Sequence, residues 1–188
     1  VGWDLEVGAI ERSALNGINY SGDDYMLRMA GSGIDLINIG NNEYRSKIES
    51  GFLRIKKLTA SDGKTYWEVT DKSGVRYFYG QTVSNRQDNP SDASQIFKWC
   101  LDRVEDPNGN YMTLSYTKDQ GQIYPDRIDY TGNGTVTPTN YVKFYLETRT
   151  DAPVMYTTNF GVKTAYRLKT IDVMANGNRV RAYKLTYT

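Results

Sequence analysis

LDRVEDPNGNYMTLSY, residues 101–116, decides the fold class. Pro107 fixes φ at the first corner of a turn, and Asn108 and Gly109 tolerate the left-handed backbone at its end. Beyond the turn, Met112, Leu114 and Tyr116 alternate with Thr113 and Ser115, so one face is apolar and the other wet. The stretch reads as strand, tight turn, strand. Looser versions recur along the chain, which points to a β scaffold and away from a catalytic pocket.

Outward from this hairpin, the same grammar repeats. Tyr25 to Met29 and Ile34 to Ile39 are joined by Ala30-Gly31-Ser32-Gly33. Phe52 to Leu58 and Thr65 to Thr70 flank Asp62-Gly63. Thr65 to Thr70 and Val75 to Tyr79 flank Asp71 to Gly74, where Gly74 suits the left-handed position of a turn with a bulge. Arg127 to Tyr130, Tyr141 to Leu146, Tyr166 to Val173 and Val180 to Tyr187 follow, with Asn176-Gly177 joining the last two. Ile96 to Val104 fits a helical stripe and also a period of two. The need of the following strand for a partner favours a strand. Asn41 to Ser46 reads as a polar loop. The buried face is expected to carry Trp67, Val69, Phe78, Trp99, Leu101, Leu114, Phe144 and Ile171. A weak internal repeat links the acid-ended stretches at 101–106, 126–130 and 168–172, each leading to a Gly-Asn pair.

The fold class is therefore all-β, with antiparallel hairpins forming a curved sheet or a sandwich-like shell segment. One β-rich domain over 1–188 is expected. Residues 84–94, SNRQDNPSDAS, form the best loop, and they would divide it into 1–83 and 95–188. Val1 is not an initiator Met and the chain stops inside a strand-like stretch, so a piece of a longer polypeptide is expected.

Composition excludes much chemistry. There is no His, which removes Ser-His, Cys-His and His-metal arrangements. Cys100 is the single cysteine, so it forms no internal disulfide, and it reads as a small buried hydrophobe. Net charge is +1, too little to draw nucleic acid or anionic lipid. Mean hydropathy is −0.62, and no apolar run approaches the ~20 residues of a membrane helix. The acids cluster at turns, where they bond the backbone locally. No catalytic, cofactor-binding or metal-binding residue stands out. The 16 Tyr admit one binding reading, in which exposed rings stack glycan or anchor a host protein. Its candidates are Tyr66, Tyr77, Tyr79 and Tyr145, and three or more aromatics in one exposed patch would favour it.

Three segments carry a family resemblance: GWDLEVGAIER at Gly2–Arg12, WEVTDKSGVRYFYG at Trp67–Gly80, and WCLDRVEDPNGNYMTLSY at Trp99–Tyr116. Together they resemble the amino-terminal domain of Salmonella virulence plasmid B proteins and of the B components of insecticidal toxin complexes (TcaC and TcdB type). The Asp-x-x-Gly-Asn turn before a Tyr-ended strand is similar to Rhs and YD-repeat hairpins. The resemblance implies a non-catalytic structural module of a secreted toxin-like protein, cytoplasmic before export, that helps build a β shell around or beside an effector. The implied partners are other domains of the same polypeptide and toxin-complex subunits, with no cofactor. The ADP-ribosyltransferase activity of the Salmonella protein belongs to a separate domain, whose Ser-Thr-Ser strand and Glu-x-Glu pair do not occur here. The alternative function is a glycan- or host-protein-binding β module of a bacterial surface protein.

Overall fold

A computed structural model describes residue 5 and residues 7–29, 31–49 and 51–187 of the chain. Gly2 to Asp4 and Glu6 of the first family-like segment, Ala30 of the first turn, and Thr188 lie outside the described residues. The strands are β1 (Ala9–Arg12), β2 (Tyr25–Met29), β3 (Ser32–Gly40), β4 (Glu43–Ser46), β5 (Arg54–Thr59), β6 (Thr65–Thr70), β7 (Arg76–Tyr79) and β8 (Arg86–Asn89). They continue with β9 (Asp92–Glu105), β10 (Asn110–Asp119), β11 (Gln122–Asn133), β12 (Asn140–Thr148), β13 (Val154–Met155), β14 (Val162–Lys163), β15 (Tyr166–Ala175) and β16 (Asn178–Lys184). A single 3-10 turn spans Val83–Asn85.

Fourteen of these strands form one antiparallel sheet; β13 and β14 pair separately. Neighbours follow chain order from β1 to β7, then β9. Ala9, Ile10 and Glu11 of β1 return to pair with Cys100, Trp99 and Lys98 of β9. That pairing closes β1 to β7 and β9 into a barrel-like shell and removes the exposed edges of those strands. The sheet then leaves the ring along β10, β11, β12, β15 and β16.

Register sets what points inward. Val69 lies opposite Ile55 and Tyr77, while Trp67 lies opposite Lys57 and Tyr79. Ile10 lies opposite Leu27 and Trp99. These inward residues form one apolar cluster from Ile10 to Tyr116, so it includes residues on both sides of 84–94. Tyr25, Tyr44, Trp67 and Trp99 meet edge to face with centroids 4.7–6.0 Å apart, the geometry that aromatic quadrupoles favour.

The hairpin reading holds, with shifted bounds: β3 begins at Ser32, inside the expected turn, and β5 begins at Arg54 rather than Phe52. Gly74 and Gly109 adopt φ of +83° and +79°, and Ile96 to Val104 is strand throughout. Two loop readings need correction. Residues 84–94 are not a loop: Val83–Asn85 is a 3-10 turn, and β8 pairs with β9. Asn41 to Ser46 is not all loop, because Glu43–Ser46 forms β4 and buries Tyr44. Strand β1 had no hairpin signal, since its pairing with β9 lies some ninety residues away in sequence. Of the expected buried face, Trp67, Val69, Phe78, Trp99, Leu101, Leu114 and Phe144 are buried. Ile171 is only half-buried, because β15 lies where the sheet has left the core. Phe78 lies opposite Glu68 and so faces outward from the ring.

Gly80 is the tightest backbone position in the ring. Its φ is +66°, and an added Cβ would lie 2.8 Å from Trp99 Cβ and nearer still to Cδ1. Gly177, in the last hairpin, has φ +79° but nothing within 4 Å. Gly80→Ala is expected to cost about 2–5 kcal/mol, from left-handed strain plus overpacking, and Gly177→Ala about 1–2 kcal/mol. Urea denaturation of the two variants checks the difference.

Candidate functional site

The four tyrosines singled out by sequence do not come together. Tyr79 is 1% exposed and faces into the ring. Tyr77 is half-buried in the same inward row as Val69, and its hydroxyl reaches Asp71 Oδ2 at 3.3 Å. Tyr66 is half-buried on the outer face, opposite Leu58. Tyr145 is exposed, but it lies on β12, far along the sheet. The other exposed ring nearby, Tyr183, shares a register row with Phe144 and therefore sits on the opposite face from Tyr145. Cys100 is buried, and burial pushes its thiol up to about 12, which leaves it protonated and inert.

What the ring contains instead is charge. Arg12 and Lys57 occupy inward positions, opposite Tyr25 and Trp67. Arg12 donates to the carbonyls of Ile96, Asn19 and Gly22 at 3.0–3.1 Å and lies over Tyr20, Tyr25 and Trp99. Lys57 Nζ lies 4.8 Å from the Tyr25 ring centre and near Tyr44 and Trp67. It donates to Asp23 Oδ1 at 2.8 Å and Tyr25 Oη at 2.9 Å. Tyr44 also donates to Asp23, at 2.5 Å. A third cation, Arg86, is 2% exposed. It donates to the carbonyls of Gly80 and Gln81 and pairs with Asp62 at 2.5 Å. The lumen is thus filled by its own side chains, and the buried Arg12 and Arg86 and the half-buried Lys57 are each neutralised or satisfied by acceptors, as removal from water requires.

Where β9 passes from ring to open sheet, Asp102 is buried. Its carboxylate accepts from the Gln81 and Thr82 amides, Thr82 Oγ1 and Asn85 Nδ2, at 2.5–3.1 Å. Asn85 Nδ2 also donates to the Leu114 carbonyl at 2.7 Å, so one carboxylate fixes the β7–β8 connection against β10. Burial raises the Asp102 carboxyl above its ordinary value, and these hydrogen bonds oppose the rise.

Beyond the ring, the weak repeat has a physical form. Tyr111 lies opposite Glu105, and Tyr141 lies opposite Asp129. Arg103 pairs with Glu105 and stacks 3.7 Å from the Tyr111 ring centre. Arg127 pairs with Asp129 and stacks 3.6 Å from that of Tyr141. Both are an Arg-x-acid strand facing a Tyr. The stretch at 168–172 lacks this arrangement, since Asp172 lies opposite Ala182. The last strands leave both faces open: β15 is half-exposed along its length, and β16 is exposed throughout. The open sheet is tied back to the ring through Tyr20, which donates to the Thr158 carbonyl, and Asn159, which donates to the Ile18 carbonyl.

Sequence reasoning missed Arg12, Lys57, Arg86, Asp23 and Asp102. Lys57 is the one with a usable signal: it shares the alternation of Ile55 in a strand whose partner carries Trp67 and Val69.

A family model described as SpvB, Salmonella virulence plasmid 65kDa B protein, matches residues 37–148, more than half of the chain. The mono(ADP-ribosyl)transferases SpvB of Salmonella typhimurium and Salmonella dublin are 29% identical over 91 residues, which is 48% of this chain and 15% of theirs. The chain thus spans a small part of these curated relatives. The N-terminal domain of effector protein SpvB from Salmonella typhimurium strain LT2 shares the fold at TM-score 0.77 and 15% identity, over 89% of this chain and 75% of that one. TcdB2-TccC3 shares it at TM-score 0.76 and 18% identity, over 93% of this chain and 12% of that one. A chain of the Photorhabdus luminescens Tc holotoxin pore does so at TM-score 0.76 and 16% identity, over 93% and 11%.

The Asp23–Lys57 pair offers a direct test of the filled lumen. Burial pushes the Asp23 carboxyl up, but hydrogen bonds from Lys57, Tyr44 and Asn38 outweigh it and leave the group below its ordinary 3.8. The stabilisation from this carboxylate is therefore present above 3.8 and lost as pH falls through the depressed folded value. A double-mutant cycle of Asp23→Asn and Lys57→Met is expected to give a coupling of about 0.5–1 kcal/mol at neutral pH. The coupling should shrink toward zero in acid below that value. Denaturation of the four proteins across pH measures it.

Proposed function

The chain belongs to the Salmonella virulence plasmid 65kDa B protein family, and from that premise we propose that it is a non-catalytic structural module of an exported toxin-like protein. It contributes a segment of β scaffold or shell around or beside an effector. The observation that carries this reading is the combination of a filled ring with a sheet that runs on past it. Trp67, Trp99, Tyr44 and the buried cations occupy the interior, so the ring works as a rigid anchor. Strands β10, β11, β12, β15 and β16 then project a layer whose last members are open on both faces. The fold shared with TcdB2-TccC3 and the holotoxin pore supports the same reading, and the partners it points to are neighbouring domains and toxin-complex subunits. ADP-ribosyl transfer is named for relatives of which this chain matches 15% of the length, and it is not assigned to this segment.

The test uses the full-length gene product with and without residues 1–188. Removing the segment is expected to expose the remainder to limited proteolysis and reduce its soluble assembly. The purified segment, incubated with NAD and host-cell lysate, should transfer no ADP-ribose. An unchanged proteolysis pattern after removal, or transfer by the segment alone, would overturn the proposal.

A further inference from the structure

We propose that residues 13–24, the connection between β1 and β2, form a lid across one end of the ring, and that residues 156–165 form the strap that holds it shut. The lid is bonded from inside by both cations at that end. Arg12 donates to the Asn19 and Gly22 carbonyls. Lys57 donates to Asp23, which also accepts from Tyr44 and Asn38. No side chain of residues 13–24 belongs to the apolar cluster, and Leu15 is 75% exposed. Polar contacts hold the lid more than apolar burial does. Such a segment opens locally while the strands around it stay folded. Lifting it takes the acceptors away from Arg12 and Lys57, so both cations meet water beside the aromatic cluster.

The outer fastening comes from the far part of the chain. Tyr20 donates to the Thr158 carbonyl at 2.5 Å, and Asn159 to the Ile18 carbonyl at 2.9 Å, across 138 and 141 residues of sequence. Asn159 reaches the lid from a left-handed position, φ +62°, with its amide on the Tyr156 carbonyl. On its other side the strap is seated more firmly. Thr158, Phe160 and Val162 are buried, although residues 154–157 are exposed. The Lys163 amide donates to the Gln120 carbonyl at 3.0 Å, Gln122 Nε2 to Thr164 Oγ1 at 3.1 Å, and the Tyr166 amide to Tyr124 Oη at 3.3 Å. Gly121, at the tip of the β10–β11 hairpin, has φ +80°, and a Cβ there would collide with the Gly161 carbonyl. The seat belongs to the open sheet and the lid to the ring. Closure of the lid therefore depends on the sheet having placed the strap, and by linkage an open lid loosens the strap. The ring end thus reports whether the sheet is in place, a regulation that the scaffold reading does not include.

The test is hydrogen exchange of the full-length gene product, read by mass spectrometry on peptides covering residues 13–24. Tyr20→Phe combined with Asn159→Ala is expected to speed exchange there about tenfold, while peptides from β6 and β9 keep their rates. Gly121→Ala lies outside the lid and should speed the same peptides by unseating the strap. Phe160→Ala, which empties the strap's own seat, takes its place if that variant does not fold. Gly177→Ala, in the same sheet but away from the strap, should leave the lid unchanged. Three results would overturn the proposal: unchanged exchange at residues 13–24 in the double variant or in the strap variant, equal acceleration in β6 and β9, or the same effect from Gly177→Ala.

Discussion

Every part of this molecule depends on the backbone pairing of one strand, β9. It runs for 14 residues and is bonded along its length by four others. Its first half takes β8, and Lys98 to Cys100 take β1. From Leu101 onward it takes β7, and from Arg103 onward β10 as well. Because it pairs with β7, with β1 and with β10, β9 is both the seam of the ring and the root of the open sheet. Trp99, at its middle, packs into the aromatic cluster and donates from Nε1 to the Thr65 carbonyl at 2.8 Å. The closing pairs with β1 join residues some ninety apart in the chain, the most non-local strand pairing among the described residues.

The hairpins were legible in the sequence because their information is local. Asn176-Gly177 and Pro107 to Gly109 specify turns through backbone conformations that few other residues tolerate. The misses share a cause. Strands β1, β4 and β8 are four residues each and carry charged or amide side chains that alternation rules place in loops. Their identity comes from a distant partner: β8 is a strand because β9 runs beside it. The interior charges were hidden for the same reason. A lysine between two strand positions reads as solvent-facing until register shows that Lys57 shares a row with Trp67 and Tyr79. The candidate tyrosines failed through the opposite limit: sequence can count rings, but only register can put them on one face.

The interior of the eight-stranded ring is shared by aliphatic side chains, aromatic rings and cations. Aliphatic chains and aromatic rings supply the volume, and the stems of Arg12 and Lys57 fill what remains beside them. The charged ends then need partners, and these come from loops: Asn19, Gly22 and Asp23 close one set, Asp62 and Gly80 another. Loops that would otherwise be free are thereby tied to the core, which extends order from the strands to the ends of the ring.

The open sheet poses a different problem, since β15 and β16 bury neither face fully. A sheet without a covered face is marginal on its own. Here it draws stability along the sheet rather than across it. The Arg103–Glu105–Tyr111 and Arg127–Asp129–Tyr141 sets each couple two adjacent strands, with cross-strand pairs worth roughly 0.2–1 kcal/mol apiece. Each hairpin then depends on the one before it, back to β10 and through β9 to the filled ring. Order in the last strands is therefore conditional on the aromatic cluster far behind them. A projecting layer of this kind stays rigid only while it remains rooted, which is what the proposed scaffold role would require of it.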